Sequence, residues 1–122
     1  MSEIKSYRDL KVWQKSIDLA ALCYELTATF PESESYGLCS QMNRSSVSVS
    51  GNIAEGFGRG HLKDYIRFLQ IASGSLFELP SQLEISRRLT FVAPDKCEEF
   101  EKPCLEVEKM LGSLISTLKK KI

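Results

Sequence analysis

In four separate stretches of this chain apolar residues recur every three or four positions, which is the period of one face of an α-helix. The first stretch, about residues 7–29, sets Leu10, Trp13, Ile17, Ala20, Tyr24 and Thr27 on one face. Ser6 with Asp9 three positions on predicts its start. Phe30-Pro31 predicts its end, because the residue before a proline is pushed out of the helical region. The second stretch, about 33–57, opens in the acidic turn Glu32-Ser33-Glu34 and carries Leu38, Met42, Ser45, Val49 and Ile53. Ser46 to Ser50 alternates as a strand would, but no other stretch alternates to pair with it, so it is read as helix held by packing.

Three glycines within Gly56-Phe57-Gly58-Arg59-Gly60 mark the clearest interior break. The third stretch, about 62–89, carries Ile66, Leu69, Ala72, Leu76, Leu79 and Leu83, with Pro80 inside it and a kink expected near Leu76 to Leu79. The fourth, about 94–120, opens at Pro94-Asp95 and carries Cys97, Phe100, Cys104, Val107, Leu111, Leu114 and Leu118. Pro103 is expected to bend it or to divide it in two. Long amphipathic helices on short connections favour antiparallel neighbours. The expected fold is all-α, an antiparallel up-and-down four-helix bundle, in one domain over 1–122.

Several function classes fall away. Cys23, Cys39, Cys97 and Cys104 form no C-x-x-C pair and His61 stands alone, so the cysteines read as reduced core thiols, with neither metal nor cofactor implied. Met1 to Arg8 is charged and nowhere is there a run of about 18 apolar residues. Neither a leader nor a membrane span is expected, and the cytoplasm is the expected location. The segment Gly51 to Gly60 lacks the spacing of a phosphate loop or a dinucleotide fingerprint. No histidine lies near a nucleophile to act as base, so no catalytic residues are assigned.

Sixteen basic and sixteen acidic residues cancel, so attraction to a polyanion would need a local patch. Lys11 with Lys15, and Lys63 with Arg67, are each one helical turn apart. With Arg44 and Arg59 they are the candidates for nucleic-acid contact, a solvated face being the alternative. Lys119, Lys120 and Lys121 suit the negative end of a helix dipole. Asn52, Glu55 and Arg59 share a face and, with Arg44 and Glu78, are candidates for one polar network. Trp13 is either core or an inter-subunit anchor. Gly74, between Ser73 and Ser75, implies another helix close by, within the bundle or from a second subunit.

Several runs also resemble a known family. Tyr7-Arg8-Asp9-Leu10-Lys11-Val12-Trp13-Gln14-Lys15, Phe30-Pro31 with Glu34 and Leu38, Gln41 to Ser48, Asn52-Ile53-Ala54-Glu55-Gly56-Phe57-Gly58-Arg59 and Ile71 to Leu79 are similar to bacterial four-helix-bundle proteins encoded in intervening sequences of 23S ribosomal RNA genes. The resemblance implies a homopentameric ring, as in the related accessory proteins of diversity-generating retroelements, which partner a reverse transcriptase and bind nucleic acid through basic surfaces. Pro80, Pro103 and the neutral charge depart from that pattern. The expected function is a non-enzymatic, self-assembling scaffold that binds structured RNA or DNA. The alternative is an adaptor for a protein encoded nearby, docked on the acidic fourth helix.

Overall fold

The computed structural model describes residues 3–122; Met1 and Ser2, the start of the segment read above as too charged for a leader, lie outside the described residues. Four helices account for the fold: α1 (Lys11–Thr27), α2 (Leu38–Gly58), α3 (Leu62–Arg88) and α4 (Pro94–Lys119). They form an antiparallel up-and-down bundle. Each helix packs on two neighbours in the cyclic order α1, α2, α3, α4, and α2 with α3 makes the most extensive pair. Among the described residues there is no strand, and no helix is long and apolar enough to cross a membrane.

The first two helices begin later than their sequence signals suggest, for a local reason in each case. Ser6 and Asp9 do form a reciprocal capping box, the Ser6 hydroxyl accepting from Arg8 N–H (3.1 Å) and the Asp9 carboxylate from Ser6 N–H (3.0 Å). The box starts a single 3-10 turn, Tyr7–Asp9, and an extended Leu10 then separates that turn from α1. The acidic run Glu32–Glu34 is likewise a 3-10 turn. From it, the Glu34 carboxylate accepts the Leu38 N–H at 3.3 Å, supplying the cap that α2 lacks at Gly37.

The serine-rich run of α2 is helical throughout. Ser45, Ser46, Val49 and Ser50 face inward and Val47 outward, the helical pattern that its two-residue alternation obscures. Ser46 and Ser50 donate their hydroxyls back to the carbonyls of Asn43 (2.9 Å) and Val47 (3.2 Å), which removes the cost of burying them. Their small size lets neighbouring helices approach. The Ser48 and Ser75 hydroxyls meet at 2.8 Å across the α2–α3 seam.

The face expected for α1 is corrected. Val12, Ser16, Leu19, Cys23 and Leu26 point into the core, whereas Ile17 is 40% exposed and Tyr24 53%. Both sets have helical spacing, so α1 carries two apolar stripes and the bundle uses only the one centred on Leu19. Neither proline ends a helix: α3 runs unbroken through Pro80 and α4 through Pro103. Pro80 is exposed, and buried Leu79 and Leu83 anchor the helix on either side of it.

The α3–α4 connection holds the one non-glycine residue with a positive φ among those described, Thr90 at 62°. Phe91 N–H donates to Ser86 C=O (2.9 Å) and Thr90 N–H to Arg87 C=O (3.0 Å), a helix-ending pattern that usually places glycine at this position. A β-branched residue there costs about 1–2 kcal/mol. Thr90→Gly is therefore expected to raise stability by about 1 kcal/mol in a urea melt, part of the gain being lost to the unfolded chain's extra freedom.

Candidate nucleic-acid interface

Antiparallel alternation brings the starts of α1 and α3 and the ends of α2 and α4 to the same end of the bundle. Of the residues proposed above for nucleic-acid contact, Lys11, Arg59, Lys63 and Arg67 gather there. Lys15 lies one turn further in and pairs with Glu106 of α4 at 3.3 Å, both side chains about half exposed. Such a pair contributes about 0–1 kcal/mol and leaves the lysine available. Arg44 does not join them. It sits in the first half of α2, towards the opposite end, and enters no ion pair among the described residues.

The end of α4 adds cations that sequence proximity does not reveal. Lys109 shares a hollow with Lys11, floored by Leu10, Val12, Met110 and Leu114. Ile122 shares another with His61 to Asp64, which brings Lys119, Lys120 and Lys121 beside Lys63 at the start of α3. The opposite end carries Glu32, Glu34, Asp95, Glu98 and Glu99. There Arg87 and Arg88 are occupied: both bond Glu84, at 2.6 and 2.9 Å, and hold its carboxyl down to about 2. A chain of zero net charge thus folds into a rod with one basic and one acidic end.

Two arginines at the basic end are positioned by an aromatic ring. The guanidinium of Arg59 lies 4.8 Å from the centroid of Phe68 and that of Arg67 4.6 Å from the same ring. Glu55 holds Arg59 at 2.7 Å and Asp64 approaches Arg67 at 3.7 Å. Phe68 itself is buried and Tyr65, one turn earlier, meets Phe57 edge-on at 5.8 Å; burial pushes the Tyr65 hydroxyl pKa up. A third arginine, Arg8, lies 5.5 Å from both the Tyr7 and Trp13 rings.

The single polar network expected of Asn52, Glu55 and Glu78 is resolved into three local sets. Asn52 donates to the Ser48 carbonyl (2.8 Å) and hydroxyl (2.9 Å), Glu55 pairs with Arg59, and Glu78 accepts weakly from Ser45 (3.5 Å). Each finds a partner within its own turn or across the α2–α3 seam, so no longer chain of bonds is needed. Ser45 also accepts from Gln82 Nε2 at 3.3 Å, while the side-chain oxygen of Gln82, Oε1, is buried without a partner.

Trp13 and Gly74 mark two different faces, because α1 and α3 do not touch. Trp13 is half-buried and continues outward into the stripe of Ile17 and Tyr24. Tyr24 borders the α1–α2 seam with Asn43, and Val47 lies one turn beyond Asn43. Gly74 is exposed, with no atom within 4 Å of where a Cβ would stand, so the close approach inside the bundle is made by Ser75 instead. A shallow hollow at Gly74 is bounded by Phe77, Glu78, Ser81 and Gln82.

Among curated proteins none matches this chain. Among solved structures, a protein with unknown function from the S23 ribosomal protein family of Bacteroides thetaiotaomicron is similar, at 26% identity and a TM-score of 0.77, over 85% of this chain and 97% of that one. The model of the family described as 23S rRNA-intervening sequence protein matches residues 8–113, and the chain belongs to that family.

Proposed function

We propose that this protein is a non-enzymatic scaffold that assembles with copies of itself, into a pentameric ring, and presents its basic end to structured RNA or DNA in the cytoplasm. The observation that carries this reading is the segregation of its surface. Cations from α1, α3, α4 and the α2–α3 junction collect at one end, while α1 leaves Ile17 and Tyr24 exposed on a stripe that has only Ala20 and Ala21 between them. A closed ring needs two different patches on each subunit. The Trp13–Ile17–Tyr24 stripe on α1 and the open hollow at Gly74 on α3 supply two. Ring formation would repeat the basic end fivefold, so individually weak phosphate contacts would add by avidity.

Light scattering coupled to size exclusion is expected to return about five times the 13.8 kDa chain mass. Ile17→Glu, which adds a charge to the unused stripe and leaves the core intact, is expected to reduce it to one. A wild-type monomer would remove the assembly half of the proposal. For the binding half, affinity for an RNA hairpin is expected to fall linearly on a log–log plot against salt as counterions are released, whereas no binding at low salt would remove it.

A second reading, a protein adaptor, is favoured by one feature of the acidic end. Leu22, Leu26 and Phe100 floor a recess rimmed by Glu25 and by the Lys96–Glu99 pair, which suits an apolar peptide. Competition by RNA for the protein's partner would separate the two readings, since the recess lies at the end away from Lys63.

A further inference from the structure

Arg59, Phe68 and Arg67 have a geometry that a solvated charged surface does not require. Two guanidinium groups lie within 5 Å of one ring centroid, so two like charges are held less than 10 Å apart. The arrangement depends on the glycine-rich junction. A Cβ on Gly56 would stand 2.7 Å from Phe68 Cβ, so only glycine lets α3 bring Phe68 so near the end of α2, where Arg59 follows. Each acid engages its arginine through one terminal nitrogen only, Glu55 through Nη2 of Arg59 and Asp64 through Nη2 of Arg67. The remaining guanidinium donors are unclaimed by any other residue among those described, and all four side chains are about half exposed. Exposed pairs of this kind hold their partners only weakly, so exchanging a carboxylate for a phosphate costs little.

We infer that Arg59 and Arg67, pre-oriented on Phe68, form a phosphodiester clamp that fixes a nucleic-acid backbone on the basic end, while Lys63, Lys109 and Lys119 to Lys121 add charge without fixing orientation. The inference rests on the nucleic-acid reading for its natural ligand but not for its phosphate chemistry. A guanidinium is a planar fork matched to phosphate and stacks on aromatic rings; an ammonium does neither. Stacking also removes in advance part of the side-chain entropy that ordering a free arginine would cost.

The test uses the full chain, a fluorescein-labelled RNA hairpin, and pyrophosphate as a minimal phosphate probe. R59K with R67K keeps every charge and is expected to weaken hairpin binding by about tenfold to a hundredfold while the slope against salt stays the same. Lys120→Ala is expected to lower the slope by about 1 with a small loss of affinity. Pyrophosphate is expected to shift the Nε–H resonances of Arg59 and Arg67 in the wild type. Phe68→Leu, with its folding checked by circular dichroism, is expected to weaken the hairpin in the same sense as R59K with R67K. Hairpin binding unchanged in R59K with R67K would overturn the clamp. If the hairpin fails to bind but pyrophosphate shifts both arginines, the phosphate site stands and the nucleic-acid reading falls. If neither probe is bound, both are wrong.

Discussion

Replacing Phe100 with alanine is expected to remove about 3–5 kcal/mol of stability, a large part of the roughly 5–15 kcal/mol that separates folded from unfolded domains. Phe100 is 1% exposed on the inward face of α4, beside Leu22 and Leu26 of α1. Its removal takes away both the transfer energy of the ring and the packing of the surrounding walls, which close only partly over the space left. The urea midpoint should fall with little change in the slope of the transition. Leu105 on the same helix is 54% exposed, and its alanine variant should stay within about 0.5 kcal/mol of the parent. Equal losses at the two positions would mean that the inward face of α4 is wrongly assigned.

Gly56→Ala is expected to destabilise by about 1–3 kcal/mol, although alanine is the better helix former by about 1 kcal/mol. The added methyl would stand 2.7 Å from Phe68 Cβ and 3.2 Å from the Tyr65 carbonyl oxygen, and neither can swing away without moving α3. Gly51 lies on the same helix with nothing within 4 Å, so Gly51→Ala should stabilise the subunit by about 1 kcal/mol. The opposite signs separate a close helix–helix contact from simple propensity. Guanidinium or thermal melts of the two variants, taken at equal concentration, would show them.

Helices α3 and α4 were legible in the sequence because each has one dominant apolar stripe. Ile66, Leu69, Ala72, Leu76, Leu79 and Leu83 are all buried, as are Cys97, Phe100, Cys104, Val107, Leu111 and Leu118. Helix α1 was not, because periodicity alone cannot choose between Leu19–Cys23–Leu26 and Ile17–Tyr24. The choice depends on which stripe the other three helices can cover. Of the two outcomes the sequence allows at Pro103, division of the helix does not occur, and α3 likewise continues through Pro80. A lost backbone bond at Pro80 or Pro103 is a local cost, and burial on both sides of each outweighs it.

The basic end was only half legible. Lys63 and Arg67 were found as neighbours in sequence, but Lys109 and the run Lys119 to Lys121 reach Lys11 and Lys63 only through the antiparallel order of the helices. Proximity along the chain groups Arg44 with Arg59, yet about two-thirds of α2 lies between them. The pairing of Arg59 and Arg67 on Phe68 left one sequence signal, the glycines beside an arginine, which reads equally well as a plain turn.

The most direct measurement is hairpin RNA affinity, at one fixed salt concentration, for charge reversals placed at the two ends of the rod. Lys119→Glu with Lys120→Glu and Lys121→Glu should abolish binding. Arg87→Glu with Arg88→Glu, at the acidic end, should leave it within about twofold, since each kilocalorie matters only where phosphate is near. Equal losses from the two sets, or none from the first, would contradict a basic end that receives the nucleic acid.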